Sequence, residues 1–158
     1  DKAAATATSN GDASSVTSLN VQYAAGPLFA AFGYQSDKPQ GGAASTDYTL
    51  LRANYDFGVA KLLAGYGRKA APNSADTTDW ELGADFPMSA ALTLSGGFAR
   101  SSDNAAAGNA TRTGYGFAAA YSLSKRTTAY GGFNSNTTSV AGTDTDARTL
   151  AVGVKHTF

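Results

Sequence analysis

Few residues in this chain could perform chemistry, and each stands apart from the partners it would need. The single histidine, His156, sits near Phe158. A serine hydrolase needs its nucleophile on a tight Gly-x-Ser-x-Gly elbow, and no serine here has that setting. His156 therefore reads as an interfacial side chain rather than a catalytic base. Glu81 and Asp85 resemble a glycosidase carboxylate pair. On an extended strand, however, four residues span about 13 Å, beyond the about 5–9.5 Å such pairs use. Asp144-Thr-Asp146 offers two carboxylates, short of the roughly six oxygen ligands that calcium takes, and reads as a solvated loop. Gly65-Tyr-Gly67 and Gly114-Tyr-Gly116 are not phosphate loops, because no helix follows either. The chain contains no cysteine, which excludes disulfides, thiolate metal sites and cysteine nucleophiles. These residues imply no catalytic group, no metal and no cofactor.

Composition narrows the remaining classes. Twelve Lys+Arg balance twelve Asp+Glu over 158 residues, so there is no electrostatic case for nucleic acid. Charged residues make up 15% of the chain, where soluble domains average about 25%. No apolar run reaches the roughly 18 residues of a membrane-spanning helix. No signal peptide is evident, so the sequence reads as mature or partial. None of this excludes a membrane barrel, whose strands need apolar residues only at every second position.

That period runs through the whole chain. Leu51, Ala53, Tyr55 and Phe57 alternate with Arg52, Asn54 and Asp56. Trp80, Leu82, Ala84 and Phe86 alternate with Glu81, Gly83 and Asp85, and Leu150, Val152 and Val154 repeat the pattern near the end. The alternation predicts nine strands over 15–24, 27–36, 46–57, 59–69, 78–86, 91–101, 111–123, 126–136 and 146–158. Short turns are expected at Gly26-Pro27, Gly58, 87–90 and Ser124-Lys125. Longer polar loops are expected at 37–45, 70–77, 102–110 and 137–145, with 1–14 a further extracellular loop or tail. Short turns at one end and long loops at the other describe an all-β, antiparallel, up-and-down transmembrane β-barrel. A soluble sandwich or lipocalin-like barrel would put the apolar face inside and expose the other face to water. Such an exterior is normally dense in Lys and Glu. Here Glu81 is the only glutamate, and the polar face is rich in glycine.

The apolar face is graded along its length. With Phe158 at the periplasmic rim, Tyr23, Tyr55, Phe57, Phe86 and Tyr121 fall at the same rim. Tyr34, Tyr66, Trp80, Phe98, Tyr115 and Phe133 fall at the opposite one. Aromatics at both interfaces with aliphatics between form membrane girdles. High strand propensity alone does not explain their placement near strand ends on one parity. Arg68, Arg100 and Arg148 share the outward parity at the upper end. They read either as phosphate ligands for outer-leaflet lipopolysaccharide, since guanidinium pairs bidentately with phosphate, or as ordinary solvated arginines.

Three stretches carry a resemblance. Tyr121-Ser-Leu-Ser-Lys-Arg-Thr-Thr-Ala-Tyr130 resembles the last periplasmic hairpin of Gram-negative general-diffusion porins, the betaproteobacterial type above all. Tyr55-Asp-Phe-Gly-Val-Ala-Lys61, leading to Tyr66, resembles an earlier turn, and Gly153-Val-Lys-His-Thr-Phe158 resembles the final strand. The resemblance implies a trimeric, water-filled barrel of 16 strands in the bacterial outer membrane, of which this chain would be the last nine. An N-terminal half would then complete the barrel, and the constriction loop would lie in that half. Small hydrophilic solutes and ions would diffuse through, with a lean toward anions. By parity Arg52, Lys61, Arg112 and Lys155 would line the pore with Asp56, Glu81 and Asp85. The competing reading is a smaller, non-conducting outer-membrane barrel with a structural or binding role.

Overall fold

The structure is a computed structural model that describes residues 13–41, 44–72, 74–104 and 109–158. Nine strands follow one another: β1 Ser15–Ala25, β2 Leu28–Lys38, β3 Thr46–Asp56, β4 Lys61–Ala70, β5 Asp76–Pro87, β6 Leu92–Asn104, β7 Ala110–Ser124, β8 Thr127–Val140 and β9 Thr143–His156. They form one sheet in chain order, each strand antiparallel to its neighbours. The sheet is open, and β1 and β9 each have one unpaired edge. Of the segment 1–14, residues 1–12 lie outside the described part of the chain.

Because cross-strand partners share a face, the register assigns every side chain. One hydrogen-bonded row reads Tyr23, Ala30, Ala53, Ala64, Leu82, Phe98, Tyr115, Ser135, Arg148. A row displaced by one residue reads Gln22, Ala31, Arg52, Gly65, Glu81, Ala99, Gly114, Asn136, Ala147. The first face is predominantly apolar and the second predominantly polar or small. A soluble sheet would bury the apolar face, and this one does not. Leu82 is 63% exposed, Phe117 64% and Val152 82%, and no large side chain among the described residues is fully buried. The described residues enclose no dry centre.

The strands run further than the alternation predicts at the upper end. The expected loop 137–145 is instead a pair of strands closed by the two-residue turn Ala141-Gly142. Val140 faces Thr143, and Thr138 faces Thr145. The Thr137 hydroxyl donates to Asp146 at 2.7 Å, so the Asp144-Thr-Asp146 stretch is strand rather than loop. β6 likewise continues through Asp103. In these stretches both faces are polar, so hydropathy carries no period, while threonine still favours extended backbone. The turn itself has φ 50° at Ala141 and 81° at Gly142. Positive φ at both central residues is what a type I′ hairpin turn demands, because only that twist matches the strands. Near the other end of β7, a bulge between Ser122 and Ser124 shifts the register just before the Lys125-Arg126 turn.

The turn generates a prediction. Gly142→Val should destabilise the folded full-length protein by about 1–2 kcal/mol, the cost of a left-handed backbone for a branched residue. Ala141→Asn should stabilise it by a few tenths to about 1 kcal/mol, since asparagine tolerates that conformation. Urea midpoints in lipid vesicles measure both.

Candidate functional site

The polar face carries all the charged residues expected to line a pore. The register puts Arg52, Asp56, Lys61, Glu81, Asp85, Arg112 and Lys155 there together, on five different strands. Three ion pairs join them to one another or to neighbours. Arg52 Nε lies 3.0 Å from Glu81 Oε1, Lys61 Nζ lies 3.8 Å from Asp56 Oδ2, and Arg112 Nη1 lies 3.0 Å from Asp103 Oδ2. Asp103 also accepts from the Thr77 hydroxyl at 2.9 Å, and Asp85 accepts from Ser95 at 2.6 Å. Lys155 has no ion pair among the described residues.

Further residues share this face: Asp37, Lys69, Asp79 and Asp103, with Phe29, Tyr48, Leu50, Leu63 and Tyr130. Lys69 and Asp79 lie inside the strands expected at 59–69 and 78–86, and parity alone puts them on this face. Asp37 and Asp103 fall in segments that read as loop from sequence. The face is also the hollow one. A depression of about 610 Å³ lies over Arg52, Gly65, Glu81, Arg112 and Asn136. A second of about 450 Å³ lies over Gly83, Gly97 and Gly116. Glycine at these positions lowers the wall by a side chain's depth.

The apolar face carries most of the aromatics. Tyr23, Tyr34, Tyr55, Tyr66, Trp80, Phe86, Phe98, Tyr115, Tyr121 and Phe133 all project to it, joined by Phe32 and Phe117. Phe57 and Phe158 lie just beyond their strands. Neighbouring rings pack in pairs, Tyr66 with Trp80 at 4.6 Å between centroids and Tyr55 with Phe57 at 4.5 Å. Arg68, Arg100 and Arg148 are on this face too, near the loop end. Arg68 is held by Asp76 at 2.8 Å, whereas Arg100 and Arg148 have no ion pair among the described residues. His156 shares a 2.9 Å hydrogen bond with Thr127 and lies edge-on to Phe158. Among the described residues no three histidine or acidic side chains are placed to hold a metal.

A sheet with a bare apolar face and a hollow polar face matches a known family. The sequence profile of the Gram-negative porins matches residues 1–143. The chain belongs to the Gram-negative porin family. Its location is the bacterial outer membrane. Among solved structures it is similar to the anion-selective porin from Comamonas acidovorans, with 26% identity and a TM-score of 0.71 over 88% of this chain and 48% of that one. It is also similar to OmpT of Vibrio cholerae, with 17% identity and a TM-score of 0.73 over 90% of this chain and 50% of that one, a likeness that speaks to the fold. The chain spans about half the length of these porins. No curated protein matches it.

Membership explains the diagonal grading of the rows. The row that begins at Tyr23 ends at Arg148, so nine strands carry it from one aromatic rim to beyond the other. Eight spacings of about 4.8 Å crossing an apolar band about 25 Å tall need a strand tilt of about 40°. Porin strands tilt by roughly 35–45°. At that tilt strands of 10 to 15 residues are long enough to cross the bilayer.

The two faces should respond oppositely to the same substitution. Phe117→Arg, at mid-height on the apolar face, should destabilise the membrane-inserted protein by about 2–4 kcal/mol. Ala118→Arg, its neighbour on the polar face, should fold normally. Folding yield and urea stability in vesicles compare the two.

Proposed function

We propose that this chain forms about half the wall of a water-filled pore through which small hydrophilic solutes and ions diffuse passively. The observation that carries the proposal is the inversion of the sheet. Charged side chains share a hollow face, while the opposite face exposes Leu82, Phe117 and Val152. Ionised groups keep their charge only against water, so the hollow face borders an aqueous lumen. Arg52, Asp56, Lys61, Glu81, Asp85, Arg112 and Lys155 line it, with Lys69, Asp79 and Asp103. Passive diffusion asks for width and wetting, so the proposal assigns the chain no reaction and no cofactor.

Closure follows from the free edges. Eight antiparallel steps separate β1 from β9, so these two strands run in the same direction. Unpaired backbone groups cannot face hydrocarbon, so both edges need partners. A partner that pairs antiparallel with both supplies an odd number of strands. Neither the chain alone nor a second copy in the same orientation pairs antiparallel at both edges, because each sets a β1 parallel to a β9. A further segment carrying the other half of the barrel does, and it brings the total to the even count of bacterial barrels. Assembly as a homotrimer belongs to the same proposal.

The similar Comamonas protein is named anion-selective, and we carry a lean toward anions as part of the proposal. On the membrane side, Arg100 and Arg148 are the available ligands for lipopolysaccharide phosphates. Arg68 is already engaged by Asp76. Conversion of Arg100 and Arg148 together to serine should weaken lipopolysaccharide binding more than Arg68→Ser does, and equal affinity in all three proteins contradicts the assignment.

Planar-bilayer recording on the full-length protein tests the main proposal. Stepwise openings of nanosiemens order are expected. A folded, inserted protein that leaves the bilayer silent would instead be a closed structural barrel.

A further inference from the structure

Halfway along β4, Gly65 is buried on a face whose other residues are nearly all exposed or half-buried. The side chain nearest to it is that of Glu81. Arg52 on β3 and Glu81 on β5 both stand opposite Gly65 in the register. Their side chains meet above it, Nε to Oε1 at 3.0 Å. Strands β3 and β5 are two spacings apart, about 9–10 Å, and the pair can bridge them lying flat only if the residue between has no side chain. A Cβ at position 65 would collide with the Glu81 side chain. Elsewhere on the face Asn136 lies over Gly114 and Tyr130 over Gly153, each a single side chain. At Gly65 two opposite charges close over one glycine.

Stability is a poor account of this arrangement. The two side chains are 58% and 49% exposed, and exposed pairs contribute little to folding. Their effect on the field in the lumen is larger. A lone guanidinium at mid-height on the wall would attract every passing anion. With Glu81 laid against it, the same position carries a short dipole parallel to the sheet.

We propose that Arg52, Gly65 and Glu81 form a charge-cancelling element that sets the ion preference of the pore. It rests on the porin reading above. Glu81 masks the positive charge of Arg52 from permeating ions. Gly65 lets the pair recline, so that neither side chain narrows the lumen. The element thus makes the wall less anion-preferring than a count of its arginines implies.

Reversal potentials across a salt gradient, measured on single channels of the full-length protein, test this. A unit charge about 10 Å from an ion in water changes its energy by somewhat less than RT, with opposite sign for anion and cation, and salt screening reduces both, so Glu81→Gln should raise the anion-to-cation permeability ratio about twofold. Arg52→Gln should lower it by a similar factor. Gly65→Val changes no charge, yet should shift the ratio toward anions and reduce conductance. It pushes Glu81 aside and leaves the longer Arg52 side chain standing into the lumen. Gly65→Ala should do the same more weakly and covers the case in which valine impairs folding. A conducting channel whose ratio is unmoved by Glu81→Gln, or by both Gly65 variants, overturns the inference and leaves the porin reading standing. A wild-type protein that does not conduct overturns the porin reading itself.

Discussion

Hydrocarbon offers no hydrogen-bond partner, and that single fact organises this molecule. Every backbone N–H and C=O within the bilayer must be satisfied by the protein. Eight antiparallel ladders do so for the interior of the sheet. The same constraint turns the usual logic of burial inside out. Apolar side chains project toward lipid, which is as apolar as they are. The polar side chains face the hollow side, which must be wet for its charges to persist. The unpaired outer edges of β1 and β9 are then the two places where the constraint is not yet met, and their common direction determines what kind of partner meets it.

A sheet of this kind cannot draw its cohesion from a packed core. No large side chain among the described residues is fully buried, so burial from water is not available as the principal term within the chain. Cross-strand pairs replace it. On the lipid face aromatic rings pack against one another, as Tyr115 does with Phe117 and Phe133 at 6.2 and 6.5 Å. Such pairs are worth roughly 0.2–1 kcal/mol each. On the wet face the pairs are polar, and because water screens them each is worth about 0–1 kcal/mol. The backbone ladder is therefore the main bond of the sheet, and the polar pairs are free to be selected for what they do to the lumen.

Much of this was legible in the sequence, for a physical reason. Where one face meets lipid and the other water, the two-residue period is strong, and Leu51 to Phe57 or Trp80 to Phe86 disclose both strand and facing. The number and order of strands followed from it; the family was legible separately, in the resemblance of the 121–130 hairpin and the 153–158 stretch to porins. Where both faces meet water the period vanishes. Thr137 to Val140 and Thr143 to Asp146 look like loop composition and fold as strand, because the ladder and the Ala141-Gly142 turn decide there. The apolar residues on the polar face escaped for a different reason. Tyr130 covers Gly153 across the ladder, and such a partnership depends on register rather than on the composition of either strand. Register also hides the Arg52–Glu81 contact. Each charge can be placed on the face from parity alone, but their meeting over Gly65 requires knowing that all three share one row.

Pairing has a consequence for how such a wall selects. Among the described residues the basic groups on the polar face are Arg52, Lys61, Lys69, Arg112 and Lys155. The acidic ones are Asp37, Asp56, Asp79, Glu81, Asp85 and Asp103. Taken as a sum they leave one negative charge, too little to decide a preference. Three of the bases are held against carboxylates within 4.0 Å, and a contact pair falls off as a dipole, faster than either charge alone. The unpaired groups then dominate the field at lumen distances. These are Lys69, Asp37 and Asp79 toward the loop end, and Lys155 and Asp85 toward the turn end. In a salt solution near physiological strength the screening length is about 8 Å, comparable to the reach of a side chain. An ion near the axis of a wide lumen therefore responds little to this half of the wall, and one that hugs it responds to the local partner. On the proposed reading, that makes width the first filter and charge the second, which is what passage of many small hydrophilic solutes without a dedicated binding site requires.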